Sequence, residues 1–300
     1  MTTAERFHLL EPLEFHRAHL EKGLRADGRR LAETRPSSLQ LRVVSDAQGS
    51  AMAKIGSTTV MATIRAEVAE PNLLQSPRRG HLSLTLRSNA PALPAAEADM
   101  LNQIEILLGE MLNSETILPL DALCMKEGVY VWLLNIQLLC LDTDAALFDT
   151  CLLGLVAALN DVRLPSVSFP DEALFTNEEL ATAALRKKKL RPVLDFAQTL
   201  PLPLKASPTS LSFTLYKSKS GEEALVADPT AEELALLSAG LLVVAVADDF
   251  NLAALHHFGP GWERSLLAEE AMGRALELAG RRRTQLHGLI AQAKEHAVKH

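Results

Sequence analysis

Between Val131 and Pro165 the chain reads as a strand, a short acidic turn, a long helix and a proline stop. Only Asn135 and Gln137 interrupt the apolar run from Val131 to Leu141, so most of both strand faces are expected to be covered. After Asp142-Thr143-Asp144, Phe148, Leu152, Leu155, Val156 and Leu159 recur at steps of three or four, and the helix is expected to end near Asn160-Asp161. A buried strand feeding an apolar helix fixes an α+β class. It also raises the question of whether the aspartates around the turn do chemistry.

The 300 residues are 48% hydrophobic, enough for two domains or one large one with a real core. Aromatics are 4%, so that core is built from Leu, Ala and Val. A net charge of -7 gives no global basic field to draw nucleic acid, and any RNA contact has to come from local basic groups or from partners. Cys124, Cys140 and Cys151 are odd in number, lack a CxxC spacing and sit in or beside apolar runs, which predicts reduced thiols in an intracellular protein. Met1 to His8 does not read as a signal peptide. The longest apolar stretch, Leu234 to Ala247, is too short for a span of roughly twenty residues. The expectation is a soluble protein without a membrane partner.

Leu9 to Leu24 reads as one amphipathic helix with Leu13, His16, Leu20 and Leu24 on a stripe, followed by a turn at Asp27-Gly28. Strands are expected at Leu39–Val44, Ser50–Ile55, Thr58–Val68 and Leu82–Arg87, and a helix at Ala95–Asn113, where Met100, Ile104, Leu107, Leu108, Met111 and Leu112 keep the helical period. Ser166 to Leu185 is acidic and irregular. Further strands are expected at Ser210–Lys217, Glu223–Asp228, Leu241–Ala247 and Asn251–Phe258, and a long helix after Gly261-Trp262. The domain reading is 1–30 as N-terminal helix and opening motif, 31–165 as a first domain, 166–190 as connector and 191–300 as a second domain.

Several groups invite a chemical reading. Asp142, Asp144 and Asp149 could hold a divalent ion, but a turn with acidic residues at a helix N-terminus explains them better. Asp228 with Glu232-Glu233 could be an acid/base pair, although Asp228-Pro229-Thr230-Ala231-Glu232 also reads as a capped turn. His256 and His257 are neighbours on a strand, point to opposite faces and cannot converge on one ion. Arg78-Arg79, Arg186 to Lys189 and Arg281 to Arg283 could bind phosphate; the last trio reads better as solvated helix surface. Neither of the first two groups is interleaved with aromatics, so base stacking is not implied. Walker, GxGxxG, GxSxG and zinc-finger spacings are all missing, which lowers the standing of nucleotide-cofactor, hydrolase and zinc classes.

Taken in order, the pieces resemble one family. Arg25-Ala26-Asp27-Gly28-Arg29 looks like the R-x-D-G-R opening of the RNase PH superfamily, and Gly49 to Val60 is similar to its first hairpin. Val131-Trp132, the stretch Ala157-Ala158-Leu159 to Leu164-Pro165, and Asp228-Pro229-Thr230 with Glu232-Glu233 match later segments. Glu11 to Phe15, Asp121 to Cys124 and Leu185 to Lys189 resemble the RNase PH-like ring subunits of the eukaryotic RNA exosome. The resemblance implies an RNase PH fold: two tandem βαβα layers of the ribosomal protein S5 domain 2-like kind, with an N-terminal helix and a long C-terminal helix. It also implies a six-membered ring of RNase PH-like subunits, S1/KH-domain cap proteins, an associated processive hydrolytic nuclease, RNA in the central channel, and a place in nucleus, nucleolus and cytoplasm.

Active members of that family use inorganic phosphate to attack the 3′-terminal phosphodiester, which requires cations to hold a dianion beside a polyanion. Their arginines lie on and just before the helix corresponding to Ala95–Asn113. Here Ser88 to Met125 contains no Lys or Arg, and it carries Glu97, Asp99, Glu105, Glu110, Glu115 and Asp121. Where active members keep further aspartates after Asp228, this chain has Glu232 and Ala239, and Ala145-Ala146 replaces a usual glycine and polar residue. The expectation is a non-catalytic ring subunit without cofactor or metal, with RNA contacts at Arg78, Arg79, Lys187, Lys188 and Lys189. The competing readings are a weakly active phosphorolytic exoribonuclease and a free-standing RNA-binding module.

Overall fold

The structure is a computed structural model that describes residues 3–72, 74, 76–90, 95–169, 192–218, 223–237, 240–248, 251–259 and 269–299. Its N-terminus is a helical pair, α1 (Thr3–Leu10) and α2 (Pro12–Leu20), rather than the single helix expected over Leu9–Leu24. Pro12 lacks the N–H that would continue α1, and it opens α2 instead. His16 and Leu20 of the expected stripe are buried, whereas Leu24 lies beyond the helix and is exposed.

The first half forms a six-stranded sheet from β1 (Ser37–Leu41), β2 (Gly49–Ile55), β3 (Thr58–Ala69), β4 (His81–Ser88), β5 (Cys124–Lys126) and β6 (Tyr130–Asp142). The order is β1-β2-β3-β6-β4, with β5 paired to β6; only β4 and β6 run parallel. That parallel pair requires a crossover, and α3 (Ala95–Asn113) supplies it with the boundaries the periodicity predicts. Strand β1 stops at Leu41, short of the expected Val44, because Arg42 turns to φ 56. Gly56 takes φ 58 in the β2–β3 turn, a left-handed conformation that a glycine reaches without a Cβ clash.

Helix α4 (Leu147–Asp161) is the centre of the molecule. Every residue from Leu147 to Leu159 is buried. One side packs on β2 and β3, the other on β9 (Thr209–Lys217) of the second half. Gly154 faces the sheet at ordinary contact distance: a Cβ there would sit 3.5 Å from the Ala53 methyl and 3.7 Å from that of Ala62, so the close approach comes from the alanines of the sheet. Strand β6 departs from expectation. Its inward residues Leu134, Ile136, Leu138 and Cys140 are buried, but Gln137 and Leu141 on its other face are exposed.

The second half has a four-stranded sheet ordered β10-β9-β11-β12, with β10 at Glu223–Ala227, β11 at Leu241–Val246 and β12 at Leu252–Phe258. Both central strands, β9 and β11, are buried almost throughout. One face contributes Leu241, Val243 and Ala245 to the core around α4. The other face, with Leu211, Phe213, Leu242 and Val244, is covered by Ala275 and Ala279 of the long α6 (Glu269–Lys299). Farther along α6, Leu286, Ile290 and Ala293 join the α4 core, so one apolar core spans both halves. The helix α5 (Ala231–Leu237) lies between β10 and β11.

Two paired strands flank the expected connector. β7 (Arg163–Ser168) continues past Pro165 and pairs with β8 (Val193–Pro201). The connector expected at 166–190 thus begins inside a strand; its remainder from 170 lies outside the described residues. Among the described residues, no helix is long and apolar enough to cross a membrane. The three cysteines are free.

Two glycines provide a test of opposite signs. Gly49 opens β2 against the end of α4, where a Cβ would stand 2.6 Å from the Ala158 carbonyl oxygen and 2.6 Å from Val162 Cγ2. A methyl added at Gly109 in α3 would meet nothing within 4 Å. In urea unfolding, Gly49→Ala should destabilise by about 1–3 kcal/mol through overpacking, and Gly109→Ala should stabilise by about 0.5–1 kcal/mol through helix propensity. Equal effects would contradict this packing.

Candidate functional site

The motif residues at the two ends of the chain meet in a buried, ion-paired seam. The segment after α2 turns tightly: the Gly28 N–H donates to the Arg25 carbonyl at 3.0 Å, and the Arg25 N–H to the Arg29 carbonyl at 2.8 Å. Gly28 has φ 86. This turn drives the Arg25 side chain inward until it is 1% exposed. Its Nε donates to Glu233 Oε1 at 2.8 Å, Nη1 to the carbonyls of Ala227 at 2.7 Å and Glu33 at 3.4 Å, and Nη2 to the Asp228 carbonyl at 2.9 Å and to Glu233 Oε2. All five guanidinium N–H groups are therefore used.

Asp228 is the second node. It is 1% exposed and sits at φ 46, left-handed for a residue with a Cβ. Its carboxylate accepts from the Arg35 backbone N–H at 2.6 Å, from Arg35 Nη2 at 2.7 Å and from Arg29 Nη1 at 3.3 Å. Arg35 continues to Asp144. Burial disfavours the charged form of Arg35, but Asp228 and Asp144 outweigh it and raise its pKa. Asp144 is lowered despite its burial, because the N–H groups of Ala145 and Ala231, the Ser57 hydroxyl and Arg35 all favour the carboxylate. Arg282 of α6 closes the seam by donating to the Arg35 carbonyl at 3.2 Å and to Ser37 Oγ.

The sequence expectations sort clearly against this geometry. Asp142, Asp144 and Asp149 do not form a metal-ligating group among the described residues. Asp144 serves the seam, and Asp149 accepts from Ser210 Oγ at 2.5 Å and from the Ser212 N–H at 2.8 Å, joining α4 to β9. The capped turn expected over Asp228 to Glu232 is present, closed by Glu233 rather than Glu232 as a reciprocal pair: the Thr230 N–H donates to Glu233 Oε2 at 2.9 Å, and the Glu233 N–H to Thr230 Oγ1 at 3.2 Å. The same Glu233 carboxylate, 2% exposed, also pairs with Arg25, which the cap alone did not suggest. Glu232 points elsewhere, 2.6 Å from His8 Nε2. His256 packs on Phe148 with ring centroids 5.6 Å apart, while His257 is exposed on the other face. The trio Arg281 to Arg283 is not uniformly solvated: Arg282 is buried and Arg283 pairs with Asp248.

For the expected RNA contacts, Arg78 projects into solvent with its guanidinium 3.9 Å from Glu127. Arg79 donates to the Asn113 carbonyl at 3.1 Å and so caps the end of α3. Lys187, Lys188 and Lys189 lie outside the described residues, as does Ala239. Along α3, Glu97, Asp99 and Glu110 are exposed, and Glu105 is held by the Leu86 N–H at 2.8 Å.

A family model described as "3′ exoribonuclease family, domain 1" matches residues 33–165. Those residues are an RNase PH domain, and the RNase PH fold extends over both halves. A chain of an archaeal exosome core superposes with TM-score 0.69 over 96% of this chain and all of that one, at 21% identity. Rice Rrp46 superposes with TM-score 0.59 at 16% identity, over 89% of this chain and all of that one. The sequence relatives lead to the same group of proteins. Exosome complex component rrp43 of Schizosaccharomyces pombe is 27% identical over 270 residues, covering 89% of this chain and 92% of the relative. Exosome complex component Rrp42 of Methanothermobacter thermautotrophicus is 27% identical over 245 residues, covering 79% and 80%. The resemblance carried by the motifs is thus a resemblance of the whole chain.

Two stability tests probe the seam. Arg25→Met leaves the Glu233 carboxylate buried without its cation and should cost about 3–5 kcal/mol; adding Glu233→Gln should recover part of that loss. Strict additivity in urea unfolding would show that the two do not act as a pair. Asp149 is pushed up to about 6 from 3.8, by burial first and by the like charge of Asp228, against the pull of Ser210 and Ser212. The folded state therefore binds the extra proton between these values, and stability falls as pH rises from about 4 to 6. Asp149→Asn removes the charge; its amide oxygen can still accept from the Ser212 N–H, while its NH2 has to donate to Ser210 Oγ instead of accepting from it. Its stability relative to wild type should rise by up to ~3 kcal/mol between pH 4 and 7, and a flat difference would refute the assignment.

Proposed function

We propose that this chain is a non-catalytic ring subunit of the RNA exosome core. In this role it holds RNase PH-like neighbours in a six-membered ring, carries S1/KH-domain cap proteins, and forms part of the wall along which RNA passes to an associated processive hydrolytic nuclease. The relatives that share its length are exosome components. The observation that carries the inert reading is the fate of the motif side chains. Asp228 and Glu233 are held by Arg25, Arg29 and Arg35 in buried ion pairs. Arg25 has no donor left for a phosphate dianion, and the one Arg29 nitrogen without a partner, Nη2, is itself buried away from any incoming anion. The stretch Ser88–Met125 supplies no replacement, since it has no Lys or Arg.

The surface supports assembly. Strand β8 exposes Val193, Phe196 and Leu200, the last two at 67% and 63%. Leu252 and Leu255 are exposed on β12, an edge strand of the second sheet. Unpaired edges with apolar side chains favour association with another chain. For RNA contact the geometry favours Arg78, which is free of the capping role that holds Arg79; Lys187 to Lys189 remain part of the proposal. Its proposed setting is nucleus, nucleolus and cytoplasm.

Co-expression with RNase PH-like partners tests this reading. The expected product is a stable particle containing this chain, which releases no nucleoside diphosphate from labelled RNA and inorganic phosphate beyond what its partners release without it. In that particle, Arg78→Glu should weaken RNA binding and flatten the slope of log K against log salt by about 0.7, with assembly intact. A chain that stays monomeric beside its partners overturns the ring reading. Phosphate-dependent release that Glu232→Gln abolishes overturns the inert one.

A further inference from the structure

One cluster of ligating side chains takes no part in the seam. His8 on α1, His16 on α2 and Glu232 in the first turn of α5 bring one ligand atom each within 4.8 Å of one another. His8 Nε2 lies 2.6 Å and His16 Nε2 3.6 Å from Glu232 Oε1. The two imidazole centroids are 5.7 Å apart. His16 is 3% exposed, and neither of its ring nitrogens has a hydrogen-bond partner among the described residues. A polar atom left unpaired at that depth carries an uncompensated desolvation penalty, which a ligand to the ring would remove. His16 faces an open cavity of about 590 Å³ that His8, Glu232, Phe15 and Thr230 also line.

We propose that His8, His16 and Glu232 bind one divalent transition-metal ion of the Zn²⁺ class, pinning the N-terminal helices to the second half. Two imidazoles and one carboxylate form the nitrogen-rich set that Zn²⁺ takes, whereas Mg²⁺ prefers oxygens and retained water. Bonds of about 2.0–2.2 Å at tetrahedral angles put ligand atoms about 3.2–3.6 Å apart. The His16–Glu232 separation already meets that distance, and His8 has to back away from Glu232 by less than about 1 Å to admit the ion. The metal would take the lone pair of His16 Nε2 and remove its isolation. The open cavity leaves the fourth position to water. Asp27 and Asp144 line the same cavity but are held by Arg29 and Arg35, so they do not compete for the ion. The cluster lies within one chain, and this proposal therefore stands or falls independently of the ring.

The test is calorimetric titration of untagged full-length chain, freed of metal by chelator and dialysis, with Zn²⁺ alone, and with Co²⁺ as a spectroscopic probe of geometry. Wild type should bind one equivalent and give the intense visible absorption of tetrahedral cobalt. His8→Ala, at a half-buried position that tolerates truncation, and Glu232→Gln should each weaken binding at least about tenfold. His19→Ala, whose ring hydrogen-bonds to the Phe15 carbonyl and packs on the Phe15 ring outside the cluster, should bind as wild type does. Folded wild type that takes up no stoichiometric Zn²⁺ overturns the proposal, as does an affinity that both His8→Ala and Glu232→Gln leave within about twofold.

Discussion

Arg25 and Glu233 are 208 residues apart in sequence and form an ion pair with almost no access to water. Taking both charges out of water costs several kcal/mol per ion, and mutual attraction offsets this only if the remaining donors and acceptors are also satisfied. They are: the other Arg25 donors end on the carbonyls of Glu33, Ala227 and Asp228. The pair is therefore compatible with one placement of the N-terminal turn against β10 and α5, because a shift of one residue would strand a charge and several carbonyls at once. Asp228 repeats the logic with Arg29 and Arg35, and Arg35 extends it to the turn that starts α4. The seam sets the register of the first half against the second.

That register is what allows α4 to be shared. A helix buried all round needs apolar partners on every side. On the side of the first sheet it meets the small side chains Ala53 and Ala62, which face Gly154. Its opposite side meets the second sheet, and Phe148 reaches His256 and Phe258 on β12. Asp149 crosses the same boundary with two hydrogen bonds into β9. Because one core spans both sheets, the two halves are better viewed as layers about a common helix than as separate domains.

Features governed by local periodicity were legible in the sequence. The α3 boundaries at Ala95 and Asn113, the β2–β3 hairpin and the stop of α4 near Asp161 all follow from spacing and turn residues. The break between α1 and α2 was missed by following the apolar stripe, although Pro12, whose missing N–H outranks that stripe, marks it. Strand β8 was obscured because Val193 to Pro201 has no clean alternation and both of its faces are exposed, so no burial pattern marks it. Arg282 read as surface because its neighbours in sequence are charged; its burial is decided by the Arg35 carbonyl, 247 positions away. The same applies to His8, His16 and Glu232, which have no spacing in common and meet only because α2 and α5 pack together. A signal did exist for the seam: Arg25-x-Asp27-Gly28-Arg29 and Asp228-x-x-x-x-Glu233 carry opposite charges in an otherwise apolar fold.

The seam and the α3 surface carry different obligations. Losing any member of the seam leaves an uncompensated buried charge, so its residues answer to the fold whether or not the protein does chemistry. The α3 face has no such tie. Its carboxylates at Glu97, Asp99 and Glu110 are exposed, and replacing cations there costs the fold little. A chain relieved of phosphate chemistry can therefore lose its phosphate-holding cations while keeping every arginine of the seam. Among the described residues, β8, β12 and the outer face of β6 present exposed apolar side chains, which suits the proposed contacts with neighbouring subunits. The ion-paired seam and a helix α3 without cations are the two features on which the proposed non-catalytic role rests.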